Sequence, residues 1–408
     1  MRVVFICQWN PWRLNGGALI RNTWLLRALA SRYDVDLVTA DDPSSDVPPD
    51  FAAACASISR FPRMEGVAGR AVRAVEMMRP DASFYTSGST VPALRAKVRE
   101  LTSREGSVAM LDLRMIDALA GLNVPFVYNA HNTEHCLLSR RADYERQPVR
   151  SLLRWESARV ARIEARVTGN ARVVAACSEN DRRELLELAP QASERILVVP
   201  NGVDVQHYDA VANTPGESRT LLITGSFDWR PNLIGLDWFL AEVLPALRAR
   251  IPNGNYTIRV AGRMGPELIE RLNHVDNISA VPNPKDMRDE LARACIVVAP
   301  IIASSGTRLR ILEAWAAGRP VVTTTAGALG LRYRDDEELL VADSPAEFAD
   351  AIVRALDDGG LRQHLRDTAL LRAGDYDWGR IGADFLDQAV PLLEPGTRSY
   401  GARVASVK

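Results

Sequence analysis

Residues 303–322, ASSGTRLRILEAWAAGRPVV, hold the densest set of chemically capable groups in this 408-residue chain. They read as a small-residue loop, a helix, a glycine terminator and a strand. Ser304, Ser305 and Gly306 permit close backbone approach, and Ser305 or Thr307 can cap the helix. A helix start has free N–H groups and the positive end of the macrodipole, so it favours an anion. Arg308 and Arg310, flanking Leu309, add full charges and planar donor forks suited to a diphosphate. Glu313, further along the helix, can accept hydrogen bonds from two vicinal ribose hydroxyls. Phosphate at the helix start with ribose beside it describes a nucleotide. An ordinary capped helix with solvated arginines fits the same residues, so the rest of the chain has to decide.

Other chemically suggestive groups are weaker. His131-Asn132-Thr133-Glu134-His135 matches a zinc-protease pattern, but it follows directly on an expected strand rather than lying within a helix. Asp34-Val35-Asp36 resembles a metal-binding pair of carboxylates, yet it opens an expected strand, at the end away from any cleft. No metal is expected. Five scattered cysteines without a CxxC pair read as free thiols. Arg159, Arg162 and Arg166 share one helix face, with Glu156 placed to offset Arg159 and Glu164 turned elsewhere. That face reads as solvated, with contact to anionic lipid as the rival.

The elements that must position these groups alternate in type. Short β-branched runs at 3–6, 35–38, 108–111, 126–128, 172–175 and 196–199 show little polar alternation, as in strands buried on both faces. A capping box at Ser178–Asp181 opens one helix between them. Residues 200–218 read as an interdomain linker. The pattern restarts with strands at 221–224, 257–260, 278–281, 296–299 and 321–324 and a helix over about 233–249. The expectation is an α/β protein of two doubly wound Rossmann-like domains, 1–203 and 204–408, with ligands held where the carboxyl ends of both sheets converge. The last helix is expected to pack back on the first domain. Residues 41–50 and the tail after Pro395 read as mobile surface.

Composition narrows the classes. Lys+Arg is 50 against Asp+Glu 51, which lacks the electrostatic footprint of a dedicated nucleic-acid binder. No apolar run approaches the length of a membrane span, and the start of the chain shows no leader. A cytoplasmic protein, with peripheral contact at the inner membrane face as an addition, is the expectation.

Several segments, taken together, resemble the family 4 glycosyltransferases of GT-B fold. The string GTRLRILEAWAAGRPVVTT resembles their signature region. Gly225-Ser226-Phe227-Asp228-Trp229-Arg230-Pro231-Asn232 is similar to the loop after the first strand of their second domain, and Val199-Pro200-Asn201-Gly202-Val203-Asp204 to their interdomain turn. Val260-Ala261-Gly262-Arg263 resembles the place that supplies a phosphate-contacting arginine. Ala130-His131-Asn132-Thr133-Glu134 resembles the loop whose histidine faces the donor sugar, and Gly16-Gly17 the glycine loop near the diphosphate.

The resemblance implies retaining, metal-independent transfer of a sugar from a nucleoside-diphosphate donor to an acceptor hydroxyl, with no cofactor besides that co-substrate. It assigns His131 to catalysis, and Gly16, Gly17, Arg263, Ser305, Gly306, Thr307, Arg308, Leu309, Arg310 and Glu313 to the donor. Trp9, Trp12 and Arg13, just before the glycine pair, are expected to line an acceptor site for a glycan, lipid or small molecule. Two departures stand out: Ser305 occupies the place of the family's first motif glutamate, and Ser226, Pro231 and Asn232 stand near places that usually hold Arg and Lys. Arg263, Arg308 and Arg310 then have to neutralise the diphosphate. An epimerase or hydrolase on the same scaffold, or a non-catalytic binding protein, stays open, as do the base, sugar, acceptor and oligomeric state.

Overall fold

Apolar β-branched runs flanked by helices leave strands no solvent face, and parallel sheets covered on both sides are the result. The structure is a computed structural model that describes residues 1–13, 16–63, 66, 69, 74, 77, 82–87, 91–302 and 309–394. In the first half, β1 (Arg2–Cys7), β2 (Asp34–Thr39), β3 (Ser57–Arg60), β4 (Ser107–Leu111), β5 (Phe126–Ala130), β6 (Val173–Ala176) and β7 (Ile196–Val198) form one sheet. Its order is β3-β2-β1-β4-β5-β6-β7, with every pairing parallel. In the second half, β8 (Thr220–Thr224), β9 (Thr257–Gly262), β10 (Ile278–Pro282), β11 (Ile296–Ala299), β12 (Val321–Thr323) and β13 (Leu340–Val341) are ordered β10-β9-β8-β11-β12-β13, also parallel.

Strand order reverses between β1 and β4 in one sheet and between β8 and β11 in the other. At such a switch point neighbouring loops leave in opposite directions and open a crevice at the carboxyl ends. The loops that matter are therefore those after β1, β4, β8 and β11. They hold most of the candidate residues.

The chain crosses between halves twice. At the first crossing Gly202 is wedged against the second: a Cβ there would lie 2.6 Å from the Tyr376 carbonyl and 2.8 Å from Trp378. A bridge joins Val203 to Asp377. The final helix, Trp378–Leu393, lies on the first helix, Gly17–Ala30. Trp24 and Trp378 stack with centroids 6.2 Å apart, and Gly382 meets Ala28 where a larger residue would clash.

Four expectations change. The stretch 200–218 is not a plain linker: it contains the helix Val205–Ala212, capped by the Asp204 side chain, with Tyr208 and Val211 buried in the core. Residues 41–50 are tied down at their start, where buried Asp41 accepts from the Asn10 N–H at 2.8 Å. The helix expected over about 233–249 runs as Arg230–Trp238, a π turn at Phe239–Val243 and Leu244–Arg250. Pro245 lacks the N–H that an α-helix needs at that point, which accounts for the widened turn. Glu156 is turned inward rather than along the arginine face. It is buried and accepts from Ser83 Oγ at 2.7 Å and the Tyr85 N–H at 3.2 Å, while Arg159 donates to the Ala82 carbonyl.

Candidate active site

The two glycine-rich features expected on the donor side meet across the crevice. Gly17 opens the first helix after β1, and a Cβ placed there would lie 3.0 Å from Leu309 Cδ1 on the second half. Leu309 is the first described residue of the helix Leu309–Ala316, so that helix approaches the start of the first one across the crevice. Ser305, Gly306, Thr307 and Arg308 lie outside the described residues.

Arg310 and Glu313 stand on that second helix. Arg310 Nη2 donates to Asn232 Oδ1 at 2.6 Å, and Asn232 in turn donates to the Ser226 carbonyl at 2.9 Å. Burial pushes the Arg310 guanidinium down to about 10, still charged at neutral pH, with Glu313 opposing the shift. Burial likewise raises the Glu313 carboxyl, against the pull of Arg310 and a hydrogen bond from Tyr208. Gly225 in the loop after β8 lies beside the guanidinium, where a Cβ would sit 3.5 Å from it. Gly262, at φ +140°, lets β9 end against the Gly225 backbone, where any Cβ would meet the carbonyl at 1.9 Å. Arg263 follows. Its side chain is 47% exposed and pairs with Asp228 at 2.7 Å.

On the first half, His131 leaves β5 beside Asp112, which leaves β4. Nε2 of His131 lies 3.7 Å from Asp112 Oδ2, beyond hydrogen-bond length, and both ring nitrogens are buried without a hydrogen-bond partner among the described residues. Such a ring is free to bond a ligand. Glu134 lies close by in a buried cluster with Tyr85 and Arg114, whose guanidinium covers the Tyr85 ring at 3.9 Å. Burial pushes the Glu134 carboxyl up to about 7, opposed by hydrogen bonds from Tyr85 and Asn132 and by the Arg114 charge.

The His131 loop is held by carboxylates from elsewhere. Thr133 precedes the helix Glu134–Asp143 without capping it. Glu164 caps it instead, accepting from the N–H groups of Glu134 and His135, each at 2.9 Å. Its Oε2 also lies 2.7 Å from His135 Nδ1, so His135 turns into the core and the two histidines of the string do not share a ligand. Asp181 takes the Thr133 N–H and hydroxyl at 3.3 and 3.2 Å.

The expected acceptor residues separate. Trp9 is 36% exposed with the Arg63 guanidinium 3.7 Å from its ring centre. Trp12 packs edge-on against Phe51 at 5.4 Å, a core contact, and Arg13 pairs with Asp41 at 3.2 Å. Asp34 and Asp36 face Arg2 at the amino end of the sheet, away from the crevice. Among the described residues no three His, Cys, Asp or Glu side chains gather as a metal site. Sequence reasoning missed Asp112, Tyr85, Arg114, Glu134 as a buried acid, and Asn232 as partner of Arg310. These residues converge only through the strand order, and Asn232 alone had a local cue in its loop.

The two halves touch at the crevice mouth. Tyr144 donates to the Ile302 carbonyl at 2.9 Å, and Arg230 pairs with Glu145 at 3.1 Å.

Comparison with known proteins agrees with this layout. Residues 15–207 match the model described as Glycosyltransferase Family 4, and residues 218–358 that described as Glycosyl transferases group 1. A D-inositol 3-phosphate glycosyltransferase of Salinispora tropica is 26% identical over 255 residues, spanning 55% of this chain and 53% of that protein. A phosphatidyl-myo-inositol mannosyltransferase of Mycolicibacterium smegmatis is 29% identical over 201 residues, 46% of this chain and 50% of that one. This chain thus spans about half the length of these two relatives. Among solved structures, a sucrose-phosphate synthase from Thermosynechococcus elongatus superposes with a TM-score of 0.71 at 17% identity, covering 96% of this chain and 99% of that one. Anabaena HepE in complex with UDP-glucose gives 0.64 at 16%, with the same coverage. These likenesses show a shared fold of two facing Rossmann-like halves.

Proposed function

The chain belongs to the family 4 glycosyltransferases, and from that premise we propose that it moves a sugar from a nucleoside-diphosphate donor to an acceptor hydroxyl. One observation carries the reading: Gly17, at the start of the first helix, meets Leu309 of the opposite half next to the part-buried Arg310–Asn232 pair. Backbone N–H groups and a guanidinium in a water-poor crevice stabilise charge growing on a departing diphosphate more than the ground state, which lowers the barrier. Glu313 takes the ribose hydroxyls, with Tyr208 holding its carboxyl in place. Arg263, freed from Asp228, reaches the phosphates from the exposed side. On the facing half His131 bonds the transferred sugar, having no hydrogen bond to another described residue to give up.

Transfer with retention follows in this reading, by attack on the same face that the diphosphate leaves, the departing phosphate taking the acceptor proton. A product of inverted anomeric configuration contradicts that step. Metal-independent turnover belongs to the same reading, and turnover lost to a chelator and restored by a divalent cation contradicts it. The acceptor sits against the first half, beside Trp9. HepE was solved with UDP and UDP-glucose, which makes a uridine donor the first to try. The direct test is incubation of the protein with UDP-sugars and inositol phosphate, the substrate class named for the relatives, followed by product analysis. A glycosylated acceptor supports transfer. Sugar epimerised or hydrolysed without any acceptor, or donor bound without turnover on an acceptor panel, points to the other uses of the scaffold.

Peripheral membrane contact is assigned to the start of the helix Val149–Asn170. There Leu152 and Trp155 are about half exposed beside exposed Phe84, among Arg150, Arg154 and Arg159. No helix among the described residues is long and apolar enough to cross a membrane. Apolar side chains ringed by cations suit an anionic lipid surface. Co-sedimentation with phosphatidylglycerol but not phosphatidylcholine vesicles, lost in Trp155→Ser, is the expected result.

A further inference from the structure

Arg21 is the largest charged side chain with no exposed surface among the described residues. It stands one helical turn after Gly17. Its Nε donates to Asn129 Oδ1 at 2.7 Å, Nη1 to the Val199 carbonyl at 2.6 Å and to Pro200 O and Asn201 Oδ1 at 3.3 Å, and Nη2 to the Ala175 carbonyl at 3.1 Å. Every one of these acceptors is neutral. Asp181, the carboxylate whose charge acts on it, is committed to Thr133 and Ser178. A buried ion ordinarily has a counter-ion, because desolvation costs several kcal/mol that neutral oxygens only partly return. Stability alone would be served as well by an apolar residue of similar volume.

The partners explain where the charge sits. Asn129 is two residues before His131 on β5, Ala175 is near the end of β6, and Val199–Asn201 is the first crossing between halves. The guanidinium therefore lies under the floor of the crevice, on a residue whose backbone is about 6 Å along the helix axis from Gly17 at 1.5 Å per residue. Asn129 Nδ2 donates on to Asn22 Oδ1 at 2.9 Å, so the contact returns to the same helix. We propose that Arg21 is a positioning residue for the donor diphosphate: it supplies a buried positive charge, with no carboxylate among its hydrogen-bond partners, beneath the Gly17 turn and fixes that turn to the interdomain crossing. The missing counter-ion is then the substrate itself. This rests on the donor reading given above.

Cancelling the charge without removing the side chain separates this role from a structural one. Asn129→Asp and Asn201→Asp each place a carboxylate where Arg21 now finds a neutral oxygen. Arg21→Lys keeps the charge and loses the fork. Binding of UDP, and of the other common nucleoside diphosphates, is measured by calorimetry alongside Tm and the acceptor KM. The expected result is donor affinity about tenfold weaker in either carboxylate variant, with Tm unchanged or raised and acceptor KM little changed. Arg21→Lys should lower Tm but keep donor affinity within about threefold. Carboxylate variants that bind donor as the wild type does overturn the proposal, as does Arg21→Lys losing more donor affinity than they do. If neither carboxylate variant folds, Arg21→Lys decides: affinity kept at reduced Tm supports the charge role, and joint loss overturns it. A wild type that binds no nucleoside diphosphate defeats the donor reading and this inference together, whereas a binding wild type with unaffected variants defeats this inference alone.

Discussion

The two faces of the crevice are built on the same sheet plan yet carry opposite chemistry. The second half offers cations and amide groups: Arg310 held by Asn232, Arg263 at the surface, and a helix start. The first half offers acids and a ring without hydrogen bonds among the described residues: Asp112, Glu134 and His131 around Tyr85 and Arg114. One side suits an anion that stays put. The other suits hydroxyl groups, whose two-way hydrogen bonding matches an imidazole ring and a carboxyl group that titrates near neutrality. The difference teaches that the fold supplies two crevice walls; in the proposed reading the second half grips the leaving group, with the Gly17 turn and Arg21 contributing from the first, and the His131 surroundings meet the sugars.

The sharpest way to break this contrast is to remove a cation from the donor wall. Arg310→Ala should weaken nucleoside-diphosphate binding by about 10- to 100-fold in a calorimetric titration, since a charged hydrogen bond is worth about 1.5–3 kcal/mol. Unchanged affinity would take the diphosphate away from this helix. The matching change opposite, His131→Ala, should lower kcat by about tenfold or more while leaving nucleoside-diphosphate affinity within about threefold, because it touches the sugar rather than the phosphates. Equal loss of donor affinity in both variants would erase the division.

A third experiment sharpens the acid side. Glu134 titrates at about 7 in the fold against an ordinary 4.5, so the folded state holds the proton more tightly than the unfolded chain. Its contribution is most favourable below pH 4.5 and is lost as pH rises from 4.5 through about 7. Glu134→Gln should therefore match the wild type in Tm near pH 4.5 and exceed it near pH 8, by a stability difference of roughly 3 kcal/mol. Equal Tm profiles would show that Tyr85, Asn132 and Arg114 satisfy the ionised group. The smallest effect belongs to Arg263→Ala. That side chain is half exposed and already paired with Asp228, so donor affinity should fall by about threefold or less.

Much of the fold was legible because buried parallel strands leave a strong local signal. The central strands β1, β4, β5, β8 and β11 coincide with apolar runs to within two residues. Edge strands β3 and β13 were not anticipated: Ser-Ile-Ser-Arg has one apolar residue, and Leu340–Val341 is only two residues long. The helix inside 200–218 was hidden by the Asn-Gly and Pro-Gly signals around it, although Asp204 was a readable cap.

The site divides in the same way. Arg310 and Glu313 share one helix, so spacing alone placed them together. The His131 surroundings draw on residues 85, 112, 114, 134 and 164, which meet only because β4 and β5 are neighbours and Glu164 reaches back from another helix. Trp12 shows the converse. It is near the crevice in sequence, but its ring is spent on Phe51. Arg21 gave no sequence signal beyond its place after Gly17, since a helix arginine reads as solvated until its partners are seen.

The central claim is that an activated sugar lies between the two helix starts, diphosphate toward Arg310 and sugar toward His131. A crystal structure of the protein with the tightest-binding nucleoside-diphosphate sugar tests it directly. The account predicts phosphate oxygens within hydrogen-bond reach of the Arg310 guanidinium and the Gly17 turn, and a sugar hydroxyl on His131. Donor bound anywhere else, or bound here with its sugar turned away from the first half, would contradict it.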